Sequence, residues 1–303
     1  MALTEAQIAA RSKGIGASET AAVLGLTPPS WKKTAYQIWE DKVGLSTGVQ
    51  EETPQMAYGK LMEPTLRQWY SNHTGRVVTV PEMALAHSKY PFILASPDGL
   101  SEVRRGVEIK TARSSQDWGE PGTDQIPVYY MTQVQQQMLV FTLEVVDVVV
   151  SFAGSMPEIY EVPADSEIQE MIIEELSKFW KLVQERTPPE PVSYADMLAM
   201  FGKVSKAAQV AANQEIMEQV AFLQSVKADM KRLEASETDA KAIIMHYLGD
   251  QDTLIEPDGK VLATWKMSKA SARFDAKALQ AADPESYNKY LKAGEPSRRF
   301  LLK

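Results

Sequence analysis

The side chains best suited to chemistry lie in a short stretch from Ser96 to Lys110. Within it, Pro97-Asp98-Gly99 indicates a turn, because proline presets φ and glycine accepts a positive φ. Glu108 and Lys110 follow in a short apolar segment that predicts a strand. Side chains alternate along a strand, so Glu108 and Lys110 are expected to share one face, with an aspartate near them.

Two apolar segments flank this turn, residues 92–95 before it and residues 106–110 after it. They predict the two strands of a β-hairpin with an irregular loop. Ile109 would then be buried on the face opposite Glu108 and Lys110.

Two carboxylates held close together repel each other and form a hard-oxygen site suited to Mg²⁺ or Mn²⁺. Such an ion polarises a phosphoryl oxygen and lowers the pKa of a bound water, and a lysine beside that water can orient it. The set therefore indicates phosphodiester hydrolysis. On these residues alone, an ordinary Asp-Gly turn beside an exposed strand edge remains an open alternative.

The order and spacing of Asp98, Glu108 and Lys110 resemble the PD-(D/E)-x-K nuclease signature. More narrowly, Ser-Pro-Asp-Gly followed by Glu-Ile-Lys-Thr resembles the phage lambda exonuclease and YqaJ-type viral recombinase family. A second Pro-Asp-Gly, at residues 257–259, has Ser268 where the acid would stand. That copy predicts only a hairpin turn.

The resemblance extends to other segments and assigns roles there. Gly59 and Glu63 match a Gly-x-x-x-Glu motif whose acid belongs to the catalytic site; the alternative is an i,i+4 ion pair of Glu63 with Arg67. Tyr-x-x-Gln-x-Gln is matched in a predicted helix, where the first glutamine is tied to the active site and the tyrosine is a DNA contact. The matching residues are Tyr130, Gln133 and Gln135.

By the same resemblance, Asp98, Glu108 and the backbone carbonyl of Ile109 would bind the metal with help from Glu63, and Lys110 would position the nucleophile. Three further residues would hold the 5′-phosphate of a DNA end. They are Arg11, Ser18 and Ser96. Taken alone, the glycine-rich approach to the helix that begins near Ser18 is only a weak sign of a phosphate site.

The resemblance implies a restriction-endonuclease-like α/β core with a central mixed sheet flanked by helices. It implies a Mg²⁺-dependent 5′-to-3′ exonuclease, with Mn²⁺ as an alternative ion, that acts on double-stranded DNA ends. The product would be a 3′ single strand for a single-strand annealing protein in phage-type recombination, and the enzyme would be a homotrimeric ring. Two alternatives stay open: an endonuclease of the same superfamily, such as a nickase or junction resolvase, and a recombination scaffold that binds DNA without cutting it.

Composition limits the other classes of function. The 303 residues contain no cysteine, which excludes disulfides and thiolate zinc sites and is typical of a reducing cytoplasm. The resemblance implies a phage- or prophage-encoded protein that acts in the cytoplasm of a bacterial host. The apolar runs are too short to span a bilayer, and the N-terminal residues lack the features of a signal peptide, so neither a membrane partner nor export is expected. Net charge is −8, yet residues 260–303 hold ten Lys and Arg against four Asp and Glu, which indicates a local DNA surface or a solvated face.

Periodicity and turn residues predict the remaining elements. The run Thr187-Pro188-Pro189 marks a boundary between a nuclease core, residues 1–190, and a C-terminal module of unknown role, residues 191–303. Helices are predicted over residues 3–10, 18–25 with Ser18 as N-cap, 31–43, 56–72 with Pro64 in a first turn or kink, 129–141, 168–186, 201–248, 274–279 and 284–291. Strands are predicted over residues 76–80, 83–86, 145–152, 159–162, 253–255, 261–265 and 298–303.

Overall fold

The structure is a computed structural model that describes residues 13–28, 31, 33–46, 52–101, 104–202, 208–269, 274–292 and 297–303. The chain forms two compact units, Met1–Met197 and Leu198–Lys303. The predicted helix over residues 3–10 lies outside the described residues.

Helices and strands alternate along the first unit, and the second unit is mainly helical. In chain order, the elements of the described residues are β1 (Ile15–Gly16), α1 (Ala17–Val23), α2 (Ala35–Val43), α3 (Pro54–Thr74), β2 (Val78–Thr79), β3 (Leu85–Ala86), β4 (Ile93–Ala95), β5 (Gly99–Ser101), β6 (Arg105–Ala112), α4 (Val128–Phe141), β7 (Val145–Phe152), β8 (Glu158–Pro163), α5 (Ser166–Gln184), α6 (Tyr194–Phe201), α7 (Gln214–Leu248), β9 (Thr253–Ile255), β10 (Val261–Thr264), α8 (Ala276–Ala282) and α9 (Pro284–Tyr290).

The first unit is organised around a five-stranded sheet in the order β2-β5-β6-β7-β8. Strands β6 and β7 run parallel over their whole length, and the other neighbours are antiparallel. The predicted α/β class with a central mixed sheet is therefore confirmed. Strand β7 has the near-continuous apolar sequence of a strand covered on both faces, and it is interrupted only by Asp147 and Ser151.

One helix covers each face of this sheet. On one face, α3 packs Leu66 and Tyr70 against Ile109 and Val149. On the other, α4 packs its apolar stripe against alternate residues of β7 and β8. The buried members of that second layer include Val134, Met138, Val146, Val148, Val150, Tyr160 and Val162. The α4 layer is the one that faces Glu108 and Lys110, because Ile109 belongs to the α3 layer.

A small second sheet, in the order β1-β4-β3, corrects the predicted hairpin. The strand before the Pro97-Asp98 segment, β4, pairs with β1 and β3 and not with β6. The hairpin partner of β6 is β5, which begins at Gly99 after the turn. The segment thus carries the chain from one sheet to the other. A Cβ at Gly99 would lie 2.4 Å from Val78 Cγ1, so a glycine is needed where β5 enters between its neighbours.

Several predicted helix starts differ from the structure, and three of them show how capping residues set the first residue of a helix. Helix α1 has Gly16 as its N-cap, with the Gly16 N–H bonded to Glu19 Oε2 at 2.9 Å, so the prediction of Ser18 as N-cap is wrong. Helix α2 begins at Ala35 behind the cap residue Thr34, not at 31. Helix α3 begins at Pro54, which places Pro64 in the helix interior and not in the first turn.

The second unit contains the 35-residue helix α7, which Asn213 caps and which ends before Gly249. The sequence predicts a helical stretch of one or two helices from residue 201, whereas α6 ends at Phe201 and α7 begins at Gln214. Strands β9 and β10 form the predicted antiparallel hairpin. Residues 298–303, predicted as a strand, have no regular structure. Within the described ranges, no helix is long and apolar enough to cross a membrane.

Candidate active site

The β5–β6 pairing brings Asp98 to Glu108. Gly99 lies opposite Val107 in this antiparallel register, so Asp98 lies just beyond the end of β5, opposite Glu108. The Asp98 carboxylate is fixed there, because its Oδ2 accepts a hydrogen bond from the backbone N–H of Ile109 at 2.8 Å. Asp98 and Glu108 are thus close together, as predicted, but the strand that pairs with β6 to bring them together is β5 and not the segment 92–95.

Glu108 is the centre of a buried hydrogen-bond network. Its Oε1 accepts hydrogen bonds from Lys110 Nζ at 2.5 Å and from Gln133 Nε2 at 2.6 Å. Its Oε2 accepts one from Gln137 Nε2 at 2.7 Å. The residue is 2% exposed, and burying a carboxylate is costly unless hydrogen-bond donors of this kind contact it. Strand β6 and helix α4 therefore meet at this side chain.

Lys110 joins Glu108 to the aromatic side of the site. Its Nζ lies 3.1 Å from Gln133 Oε1 and 4.8 Å from the ring centroid of Tyr130. Burial alone would lower the pKa of the Lys110 amine, but the carboxylates of Glu108 and Asp98 outweigh it and raise that pKa. The amine is therefore positively charged at neutral pH, and its place beside the ring is a cation–π contact.

Asp98 shows that negative charge is in excess in this site. Burial, and next the nearby charge of Glu108, raises the pKa of Asp98 well above its ordinary value, against the lowering effects of Lys110 and the Ile109 N–H. A divalent cation would relieve this repulsion. No group of three His, Cys, Asp or Glu side chains converges on one point within the described ranges. The carboxylates of Asp98 and Glu108 are oxygen ligands of the kind that Mg²⁺ takes while it keeps several of its own waters.

Glu63 is connected to the site through Arg67. Its Oε1 accepts a hydrogen bond from Arg67 Nη2, which is the i,i+4 pair considered as the alternative. Arg67 Nε also donates to the backbone carbonyl of Asp98 at 2.8 Å. The Glu63 charge contributes to the raised pKa of Asp98 as well. Glu63 therefore forms the ion pair with Arg67 and also lies close enough to Asp98 for its charge to act on that carboxylate.

Helix α4 supplies one site residue that the motifs did not identify. Gln137 is fully buried and donates to Glu108, and it follows Gln133 by one helical turn, a spacing that places both on one face. Its Oε1 is buried without a hydrogen-bond partner among the described residues. By contrast, Gln135 of the Tyr-x-x-Gln-x-Gln match contacts the Pro163 carbonyl and the Asp165 N–H at the far end of β8.

The structure describes two of the three residues predicted to bind the 5′-phosphate, Ser18 and Ser96. Strands β1 and β4 are parallel, with Gly16 opposite Leu94, so Ser18 and Ser96 leave the small sheet at the same end. Both residues are exposed, and Ser96 lies just ahead of the Pro97-Asp98 segment. Arg11 lies outside the described residues.

One buried glutamine joins these two strands to α4. Gln136 Nε2 donates to the carbonyls of Ile15 at 2.9 Å and Leu94 at 2.8 Å, and its Oε1 accepts from Thr20. A single side chain thus bridges the end of β1, strand β4 and helix α1. The edge that carries Ser18 and Ser96 is held on the same helix as Gln133 and Gln137.

Comparison with known proteins supports the family resemblance and the fold. Residues 8–144 match the model of the YqaJ-like viral recombinase domain. The chain is 28% identical over 306 residues to the uncharacterized protein YqaJ of Bacillus subtilis (strain 168), which covers 97% of this chain and 92% of that protein.

Solved structures are similar as well. The alkaline exonuclease LHK-Exo from Laribacter hongkongensis is 25% identical with a TM-score of 0.51, over 61% of this chain and 94% of that one. A structure of LHK-Exo in complex with dAMP is 22% identical with a TM-score of 0.50 over the same shares of the chains, 61% and 94%. The resemblance predicted from the motifs is confirmed: residues 8–144 are similar to the YqaJ-like viral recombinase domain, and the fold is restriction-endonuclease-like.

Proposed function

We propose that this protein is a Mg²⁺-dependent 5′-to-3′ exonuclease that degrades one strand of linear double-stranded DNA and exposes a 3′ single strand. The observation that carries the proposal is the convergence of Asp98, Glu108 and Lys110 at the junction of β5, β6 and α4. The family match and the exonuclease neighbours support a nuclease of exonuclease type.

The side chains divide the work by charge. Asp98, Glu108 and the carbonyl of Ile109 would hold Mg²⁺, or Mn²⁺ in its place, with Glu63 adding negative charge nearby. The bound ion would neutralise a phosphate oxygen and make a water more acidic. Lys110, positively charged, would orient the attacking water and stabilise charge on the phosphate. Gln133 and Gln137 would hold the Glu108 carboxylate in position.

Three wider features belong to the same proposal. The substrate would be a double-stranded DNA end, entered through a ring of three subunits. The 3′ single strand would pass to a single-strand annealing protein in phage-type recombination, in the cytoplasm of a bacterial host. Light scattering that reports about three times the 33.7 kDa chain mass would support the ring.

Two alternatives remain, and the site discriminates against one of them. A recombination scaffold that no longer cuts would not need a buried, charged Lys110 beside two acids, because such a group is costly to bury without a use. An endonuclease of the same superfamily would need the same side chains. Only the dependence on a DNA end separates it from an exonuclease.

The test of the function compares linear and closed DNA. With Mg²⁺, the protein is expected to release nucleotides from one strand of a linear duplex and to leave a covalently closed plasmid of the same sequence intact. Label at the 5′ end is expected to appear in small products before label at the 3′ end. Early nicking of the closed plasmid would instead establish an endonuclease, and binding without any cleavage would establish a scaffold.

The 5′-phosphate site gives a second prediction. Ser18 and Ser96 lie at one end of the paired strands β1 and β4, and Ser96 is two residues before Asp98, so a phosphate held there would be near the acidic pair. A hydrogen bond to a charged group contributes about 1.5–3 kcal/mol. Arg11→Ala is therefore expected to slow digestion of 5′-phosphorylated ends by roughly 10- to 100-fold.

The informative quantity is the ratio of the rates on 5′-phosphate and 5′-hydroxyl ends, measured for wild type and variant. Ser18→Ala and Ser96→Ala are expected to lower this ratio by smaller factors, because a serine contributes a neutral hydrogen bond. Equal losses on both ends after Arg11→Ala would show that Arg11 is a general backbone contact or a structural residue.

A further inference from the structure

An aromatic cluster lies beside Lys110 and has no part in the hydrolysis proposed above. Tyr130, whose ring Lys110 Nζ contacts, is its first member. The ring centroids of Tyr129 and Trp31 lie 4.5 Å and 6.0 Å from that of Tyr130, and they are 4.9 Å from each other. The three rings contact one another at interplanar angles of 56°, 60° and 65°, and Tyr130 connects this group to the Lys110 amine.

A second layer of rings supports this surface from the core. Trp118 lies 5.6 Å from Tyr130, and it also contacts Phe152 at 5.6 Å and Tyr160 at 5.0 Å between ring centroids. Tyr160 and Phe152 are buried in the sheet layer that α4 covers. Tyr130 is therefore held between the core and the outer rings, so the outer rings rest on a fixed base.

The outer rings are open to solvent. Trp31 is 42% exposed, and Tyr129 is half-buried. Single exposed apolar residues are common on protein surfaces, but these two both contact Tyr130, the ring that Lys110 Nζ approaches. Burial raises the pKa of Tyr129, so its phenol stays neutral and the surface offers π faces with no charge of its own.

We propose that Trp31 and Tyr129 stack on an unpaired nucleobase of the strand that is being digested. This rests on the proposed function and specifies the form of its substrate. Aromatic side chains bind single-stranded DNA by stacking on bases of any sequence. The Lys110 side chain is only 15% exposed, so the scissile phosphate must enter a recess. A strand separated from its complement can do so and present a free base face to the rings.

The test is a cycle that combines a side-chain deletion with a base deletion. Linear duplexes carry an abasic tetrahydrofuran residue at the first, second or third nucleotide of the digested strand, with all phosphates kept. At one of these positions, wild type is expected to cleave the abasic duplex about 5- to 30-fold more slowly than the normal one in the first turnover. Trp31→Ala is expected to cleave the normal duplex more slowly than wild type by a similar factor. On the abasic duplex, its rate is expected to be close to that of wild type on the same duplex.

Matched variants separate stacking from folding. Trp31→Phe retains a ring and is expected to keep most of the abasic penalty. Tyr194→Ala removes an aromatic residue of the first unit that is 70% exposed, and it is expected to keep the full penalty. If Trp31→Ala fails to fold by circular dichroism, Trp31→Leu and Tyr129→Leu complete the same cycle.

The outcomes distinguish this inference from the proposed function. If Trp31→Ala slows normal and abasic duplexes by the same factor, or if wild type shows no abasic penalty at any position, the stacking surface is excluded. If wild type digests no linear duplex, the proposed function fails, and stacking is then decided by binding. In that case the affinity for a 5′-phosphorylated single-stranded oligonucleotide, normal or abasic, is measured by fluorescence anisotropy. Wild type is expected to bind the abasic oligonucleotide more weakly than the normal one, and Trp31→Ala is expected to lose most of this difference. An equal difference in wild type and Trp31→Ala would overturn the stacking proposal.

Discussion

Replacing Lys110 with alanine is expected to reduce the rate of DNA hydrolysis by roughly 10³-fold, while the affinity for a DNA end changes little. The amine lies 2.5 Å from Glu108 Oε1 and is the only lysine or arginine nitrogen within the described ranges that forms an ion pair with Glu108. Its charge would act on the water and the phosphate during the reaction, not in the binding of the duplex. Single-turnover rates and binding to an end-labelled duplex measure the two effects separately.

Two matched variants make this result interpretable. Lys110→Arg keeps the charge but replaces a compact ammonium by a planar guanidinium, and it is expected to recover only a small part of the rate. Lys178→Ala removes an exposed lysine that pairs with Glu174 and Glu175 on α5, and it is expected to retain the wild-type rate. Wild-type turnover by Lys110→Ala, after contaminating nuclease has been excluded, would remove the catalytic assignment.

Replacing Asp98 is expected to lower Mg²⁺ affinity as well as the rate of hydrolysis, unlike the replacement of Lys110. Asp98→Ala removes a carboxylate that the Ile109 N–H holds in place, so both hydrolysis and Mg²⁺ affinity are expected to fall. The Mg²⁺ concentration needed for half-maximal rate, and calorimetric titration of the protein with Mg²⁺, report the second loss. Unchanged Mg²⁺ affinity in Asp98→Ala would show that this acid does not bind the ion.

The parts of the site that could be predicted are those carried by local sequence. Glu108 and Lys110 are two residues apart on one strand, and the alternation of a strand places them together whatever surrounds it. The apolar stripe of α4 and the continuous apolar run of β7 likewise fix which faces are buried. The family resemblance predicts the mixed sheet, and the apolar segments that form β7 and β8 are consistent with it.

The hairpin partner could not be predicted in the same way. The segment 92–95 is apolar and adjacent to the motif, so local reasoning assigns it to β6. In the structure it pairs in parallel with β1, a two-residue strand about eighty residues earlier in the chain. Gln136 of α4 stabilises this pair by donating hydrogen bonds to the carbonyls of Ile15 and Leu94. Contacts between such short, distant strands leave no periodic signal.

Gln137 shows a similar limit within the site. Its position one turn after Gln133 indicates a shared face, but a glutamine on such a face is equally consistent with a solvent-exposed helix. What decides its role is burial, which depends on β6 and α4 meeting at Glu108. A buried carboxylate on the strand requires donors from the helix above it, and the sequence alone does not say which residues meet.

Removing the carboxylate of Asp147 is expected to lower the free energy of unfolding of the first unit by about 3–5 kcal/mol. Asp147 is fully buried in β7, next to Val107 of β6. Its Oδ2 accepts hydrogen bonds from the Tyr70 hydroxyl at 2.5 Å and from Arg76 at 3.4 Å, and its Oδ1 pairs with Arg105. Asp147→Ala would leave these donors facing an apolar cavity.

Chemical denaturation followed by tryptophan fluorescence measures this effect, because five of the six tryptophans lie in the first unit. They are Trp31, Trp39, Trp69, Trp118 and Trp180. Asp124→Ala, which removes an exposed aspartate of the same unit, is the matched control and is expected to change the free energy of unfolding by less than about 0.5 kcal/mol. Equal stabilities of the two variants would show that the Asp147 network does not stabilise the fold.

The same network predicts a loss of stability at alkaline pH. Burial, with the hydrogen bond to Asp147 and its charge, raises the pKa of Tyr70 to about 12 from an ordinary value of 10. The unfolded chain then loses the Tyr70 proton before the folded chain does. This contribution to stability is therefore complete below pH 10 and is lost as pH rises toward 12. Tyr70→Phe cannot titrate, so its stability is expected to fall less steeply than that of wild type over this range, and parallel curves would show that Tyr70 titrates normally.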